Sequence, residues 1–118
     1  MSFSQVLKEI TQNVKGARGA VVVGMDGIIV DECTAGPGID LQSISAEYGN
    51  ILKEVQIASE SLRMGTTKEV AIRTEASDLV MRKINDDYFL ALVLSPEGNF
   101  GKGRFVVRMA ANKLIKEF

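Results

Sequence analysis

Closely spaced glycines beside a lysine bring backbone amides up to a phosphate, and one segment of this chain has that composition: Gly98-Asn99-Phe100-Gly101-Lys102-Gly103-Arg104. The match is incomplete. A phosphate loop of the G-x-x-x-x-G-K-[ST] type follows its lysine with a hydroxyl residue that holds magnesium. Here Gly103 follows Lys102. The segment fits a structural junction better, with Asn99 capping a turn, glycines permitting tight packing and Arg104 making a salt bridge. Gly36-Pro37-Gly38 reads as a loop and forms no part of a dinucleotide fingerprint. The carboxylates Asp26, Asp31, Asp40, Asp86 and Asp87 fall mostly at turns. Asp86-Asp87 has no second oxygen-rich segment at a calcium-binding spacing, so no metal is expected.

The chain contains no histidine. That removes Ser-His-Asp and Cys-His catalysis, histidine acid–base chemistry and histidine-ligated zinc. The lone Cys33 excludes an intramolecular disulfide and reads as a small core hydrophobe. With 14 basic and 15 acidic residues the net charge is −1, without the basic excess of a nucleic-acid-binding domain. The only basic cluster is Lys102, Arg104 and Arg108, continuing to Lys113 and Lys116. Much of it is the cation bias of a helix C-terminus. The start has no secretory pattern, and no apolar run approaches the roughly 20 residues of a membrane span. The expectation is a cytoplasmic protein without cofactor, nucleic acid or membrane partner. Its 118 residues, 46% hydrophobic and 25% charged, suit one domain, 1–118, with a core of its own.

The apolar periodicity then orders the elements. Phe3, Val6, Leu7, Ile10 and Val14 have helical spacing, opened by a Ser2/Gln5 capping box and closed near Gly16. The runs Ala20–Val23 and Ile28–Val30 flank Met25-Asp26-Gly27, an Asp-Gly hairpin signal that needs positive φ. Both runs are nearly continuous in apolar residues, which predicts strands covered on both faces. A long helix follows from Asp40 to Arg63, ended by Gly65, with a core stripe of Leu41, Ile44, Tyr48, Ile51, Leu52, Val55, Ala58 and Leu62. Strands are expected at Glu69–Thr74, Leu79–Ile84 and Tyr88–Leu94. A last helix runs over 101–116 with Phe105, Val106, Met109, Ala110 and Leu114 inside. The order α-β-β-α-β-β-β-α predicts an α/β three-layer sandwich: a five-stranded antiparallel sheet, the long middle helix on one face and the terminal helices on the other.

This order, the segment Gly19–Val30, and Asn99-Phe-Gly-Lys-Gly-Arg104 followed by Arg108, Ala110, Ala111 and Leu114 resemble the profilin-like Roadblock family, named for a dynein light chain. The usual family pattern at the second segment is Asn-Leu-Gly-x-x-Arg. Here Phe100 replaces the leucine and Gly103 sits inside the motif. The motif residues Asp26, Gly27, Asn99, Gly101, Arg104 and Arg108 read as structural. The resemblance extends over essentially the whole chain and is to small bacterial members such as the gliding-motility GTPase-activating protein. It implies a homodimer in which the third strand pairs with its symmetry mate and the middle helices lie side by side. Val70, Ala71, Ile72, Arg73 and Thr74 of the strand and Tyr48, Leu52 and Val55 of the helix would then form the interface. It also implies a Ras-like small GTPase as partner, with GTP hydrolysis stimulated in some members, while others scaffold kinase or motor assemblies. Arg63, Arg73, Arg82, Arg104 and Arg108 are all potential arginine fingers, and nothing in the sequence selects one.

The residues themselves support part of this. Glu69–Glu75 lies at a sheet edge in the expected layout and lacks proline, and an exposed edge must be covered or paired. Two antiparallel copies would set Arg73 near a glutamate of the mate. On the middle helix, Ala46, Lys53, Ile57 and Met64 fall opposite the main stripe. Ile57 is apolar where the helix should meet water, which marks this face, with Asn50, as a candidate partner surface. The readings left standing are a non-catalytic GTPase regulator, an assembly module for a sensor kinase or motor complex, and a small-molecule sensor.

Overall fold

A computed structural model describes residues 2–118. Helix α1 (Phe3–Asn13) begins at a complete capping box, in which Gln5 N–H donates to Ser2 Oγ at 3.2 Å and Ser2 N–H to Gln5 Oε1 at 3.1 Å. Strand β1 (Ala17–Gly24) turns through Met25-Asp26-Gly27-Ile28 into β2 (Ile29–Thr34). Gly27 holds φ +88° there, the conformation that the Asp-Gly pair predicts. Helix α2 (Leu41–Ser61) is N-capped by Asp40, whose carboxylate accepts from Ser43 N–H at 3.1 Å. Strands β3 (Glu69–Arg73), β4 (Asp78–Lys83) and β5 (Tyr88–Leu94) precede α3 (Phe100–Leu114) and a 3-10 turn, Ile115–Glu117.

The strands form one five-stranded sheet in the order β2-β1-β5-β4-β3, with every neighbouring pair antiparallel. Alternation along the central strands divides the core in two. Ala20 and Val22 of β1, with Leu90 and Leu92 of β5, face Leu7 and Ile10 of α1 and Val107 and Leu114 of α3. Val21, Val23, Phe89 and Ala91 face the other way, against Leu41 and Leu52 of α2. The sandwich is therefore the expected one, with α2 on one face and α1 and α3 on the other.

Four details depart from the expected pattern. Strand β2 is not covered on both faces: it is an edge strand with alternating half-buried and exposed residues, and Val30 is exposed. Ile28 lies in the turn and is 68% exposed. Its apolar run resembles that of β1, but only β1 has a strand on either side. On α2, the residues buried against the sheet are Leu41, Ser45, Gly49 and Leu52, while Ile51, Ala58 and Leu62 of the expected core stripe are exposed. On α3, Phe105 and Met109 are exposed instead of inside, because the helix buries Gly103, Val107, Ala110, Ala111 and Leu114. Finally, Arg63, ahead of Gly65, takes the left-handed conformation that ends α2, at φ +59°, and Met64 N–H donates to Ser59 O at 2.8 Å.

Candidate protein-interaction surfaces

The glycine-rich segment is built for packing. Asn99 caps α3, accepting from Lys102 N–H at 3.0 Å, and its own N–H donates to Lys15 O. Gly98 crosses the α1–β1 connection so closely that a Cβ on it would lie 2.5 Å from Lys15 O. Gly103 sits on Leu92 and Leu94, where a Cβ would approach Leu92 Cδ2 to 3.2 Å. Backbone groups that would cradle a phosphate are thus engaged in the turn itself. Gly101 is exposed beside the cap. Arg104 reaches across to Glu69 of β3, its Nη2 at 2.6 Å and Nε at 2.8 Å from Oε2, and Arg82 lies 3.5 Å from the other oxygen of the same carboxylate. Arg108 lies over the Phe105 ring at 5.6 Å.

The turn carboxylates are likewise spent on local amides. Asp26 accepts from Ile28 N–H at 3.0 Å and Asp31 from Glu32 N–H at 2.8 Å. The Asp40 carboxyl is held below its usual range by the hydroxyl and amide of Ser43, which stabilise its charged form. Among the described residues no cluster of Cys, Asp and Glu is arranged to hold a metal ion. No helix among them is long and apolar enough to cross a membrane.

Strand β3 is the second edge of the sheet. Its five residues pair with β4 without interruption, from Glu69 opposite Arg82 to Arg73 opposite Asp78. Thr74 N–H donates to Ser77 O and Lys83 N–H to Lys68 O. Antiparallel alternation then turns the backbone groups of Val70 and Ile72 toward β4 and leaves those of Glu69, Ala71 and Arg73 pointing outward. Ala71 is exposed at the centre of this row. Val70 and Ile72 are half-buried on the α2 side, and Thr74, just past the strand, is exposed. Beside this edge runs one flank of α2. Ile44 and Tyr48 share a shallow groove with Ile72 and Thr74. Val55 is half-buried, Ile51 exposed and Leu62 71% exposed on the same flank.

Two residues assigned to self-association play other parts. Leu52 is fully buried against the sheet, so it seats α2 in its own chain and has no surface to offer a mate. Arg73 does not wait for a glutamate from another copy: its Nη2 lies 3.1 Å from Oδ2 of Asp78, which is 1% exposed, and its guanidinium stacks over Phe100 at 4.7 Å. Asp78 is the residue that sequence reasoning missed. Its position across the β3–β4 turn from Arg73 would have signalled the pair. Ile51 and Leu62 were also missed as surface residues, because their spacing matches that of the core stripe.

The opposite flank of α2 carries the other candidate set. Ile57 is 59% exposed, Met64, Ala46 and Asn50 are exposed, and Lys53 is half-buried. Ala46 lies against the Asp26–Gly27 turn, close enough that a Cβ on Gly27 would stand 4.0 Å from its Cα. Ala46 thus sits at the β1–β2 hairpin, while Ile57 lies about three turns further along the helix and Met64 beyond its end, past the left-handed Arg63 on the way to β3. The structure does not bring the set together at one place. A sequence model of the Roadblock/LC7 domain matches residues 4–94. The chain belongs to the Roadblock/LC7 family. It is 41% identical to MglC from Myxococcus xanthus over the full length of both chains, with a TM-score of 0.73. The gliding protein MglB from Thermus thermophilus superposes with a TM-score of 0.87 at 20% identity, covering 96% of this chain and 85% of that one. Acanthamoeba castellanii profilin IB, 14% identical with 98% of both chains covered, has a TM-score of 0.67 and places this Roadblock/LC7 domain within the profilin-like fold. A comparison of the sequence with curated proteins finds no significant match.

Proposed function

We propose that this chain is a non-catalytic regulatory and scaffolding protein that works as a homodimer of single Roadblock/LC7 domains and binds a Ras-like small GTPase in the cytoplasm. The observation that carries self-association is β3: a regular, unpaired edge whose outward backbone groups at Ala71 lie beside the apolar α2 flank of Ile51, Val55 and Leu62. A second copy related by a two-fold axis through Ala71 extends the sheet and brings the two α2 flanks together. A relative described as MglB with tetrameric arrangement, 21% identical, has this fold in a self-assembled form and lends support by analogy. The space between α2 and the sheet is filled by Leu52, Phe89, Val21 and Val23, all fully buried, which weighs against the small-molecule sensor.

The partner assignment rests on family membership and on the exposed Ile57 face of α2. It is tested by binding of the purified chain to a Ras-like GTPase loaded with GDP or with a non-hydrolysable GTP analogue, followed by GTP turnover with and without the chain. Ile57→Asp is expected to weaken binding about tenfold or more, the scale of a desolvated apolar anchor, and to leave self-association intact. Unchanged binding by that variant removes the Ile57 face from the account. Absence of binding in both nucleotide states removes the GTPase, and recovery of a sensor kinase or motor subunit in its place establishes the assembly-module reading.

A further inference from the structure

Two separate surfaces of this chain carry a local excess of opposite charge. Residues 100–118 carry Lys102, Arg104, Arg108, Lys113 and Lys116 against the single acidic side chain Glu117, although the chain as a whole stands at −1. Of these cations only Arg104 enters an ion pair among the described residues. Phe105, 55% exposed, and Met109 lie one helical turn apart on the outer face of α3, with Arg108 and Lys113 to either side. The far edge of the sheet is the complement. A depression along β2 is lined by the exposed Ile28 and Val30 together with Asp31, Glu32 and Asp40, and no lysine or arginine lines it. None of those carboxylates has an ion-pair partner among the described residues.

We propose that the outer face of α3 docks on the β2 edge of another copy of this chain. Each surface combines exposed apolar side chains with a predominance of one sign of charge, Glu9 of α1 being the acidic side chain beside Phe105 and Met109, and the predominant signs are opposite. Such pairing steers encounter and fixes orientation, while the apolar centre supplies the burial. A chain cannot satisfy itself in this way. Helix α3 packs over β4 and β5, whereas β2 lies at the far edge beyond β1, beneath α1. The contact is therefore intermolecular and heterologous, and it builds assemblies larger than a two-fold pair. It uses neither β3 nor the α2 flank beside it, so it stands independently of the homodimer proposed above.

Sedimentation velocity on the full chain tests it. At low ionic strength the wild type should form species heavier than its base unit. These should dissociate toward 1 M salt, where the Debye length contracts from about 10 Å at 0.1 M to about 3 Å. Arg108→Glu/Lys113→Glu makes α3 acidic, and Asp31→Asn/Glu32→Lys makes the β2 edge less acidic while keeping an acceptor for the Glu32 amide. Each variant alone should associate at least tenfold more weakly than wild type. An equimolar mixture should recover the heavy species, because the acidic α3 of one meets the altered edge of the other. A wild type whose sedimentation is the same at both ionic strengths overturns the proposal, as does a mixture no heavier than its components. The wild-type salt dependence needs no variant and decides the matter if either variant fails to fold.

Discussion

At one edge of the sheet β2 is bulged, since Val22 pairs with Asp31 and Val23 with Ile29, leaving Val30 as the extra residue. The outward N–H of Glu32 is already taken by the carboxylate of Asp31 at 2.8 Å. At the other edge β3 runs in unbroken register with β4, and no side chain among the described residues caps its outward amides. Both strands are edges of the same sheet, and they manage the same hazard in opposite ways. A bulge and a self-capped amide close β2 to strand addition and leave only its side chains for contact. Regular β3, flanked by exposed apolar residues of α2, is open to it. The difference teaches that edge position alone does not make a strand open to pairing; continuity of the free backbone groups does, and it is on this ground that the proposed dimer uses β3 and not β2.

The largest expected effect breaks the comparison at β3. Ala71→Pro removes an outward donor without touching the ladder to β4. By symmetry the proposed dimer loses two hydrogen bonds, so its dissociation constant should rise roughly 100-fold or more. Sedimentation equilibrium checks this, and an unchanged molecular mass in the variant would place the dimer elsewhere. Next is Arg73→Ala, which leaves the buried Asp78 carboxylate without its cation. A fully buried pair would cost more, but Arg73 is largely exposed, so a loss of about 2 kcal/mol in denaturant unfolding is expected. Little loss would mean that Arg73 is free to serve a mate after all.

Smaller effects sharpen the contrast. Leu62→Ser, on the α2 flank beside β3, should weaken dimerisation about tenfold with monomer stability nearly unchanged, the value of one partly buried leucine. Analytical size exclusion across a dilution series measures it. Deleting Val30 keeps Ile29 opposite Val23 and Asp31 opposite Val22 while removing the bulge. The straightened β2 should then show a modest rise in light scattering on warming, as a second sticky edge forms.

Much of the architecture was legible because periodicity and turn chemistry agree at most positions. Ser2/Gln5, Asp26-Gly27, Asp40 and Asn99 mark element boundaries by hydrogen bonds that short sequence separations dictate. What periodicity does not report is which body covers an apolar residue. Ile51 and Leu62 continue the stripe of Leu52, yet the sheet fully covers Leu41, Ser45, Gly49 and Leu52, with Ile44 and Tyr48 half-buried beside them, and leaves Ile51 and Leu62 exposed. The excess width of the stripe is what leaves Ile51 and Leu62 exposed, on the flank assigned to the proposed dimer. Phe105 and Met109 on α3 are likewise left exposed: the helix buries Gly103, Val107, Ala110, Ala111 and Leu114, and the two side chains only border a groove against α1. The Arg104–Glu69 pair joins a helix and a strand whose relative placement the sequence does not encode locally, whereas Arg73–Asp78 spans a single hairpin and lay within reach of its turn chemistry.

The most direct measurement is amide hydrogen exchange resolved by residue and followed with protein concentration. If β3 is the self-associating edge, the outward amides of Ala71 and Arg73 become protected as concentration rises, while the inward amide of Ile72 is protected throughout. Exchange at Ala71 and Arg73 that is fast and independent of concentration, in a sample that sedimentation shows to be dimeric, contradicts the account.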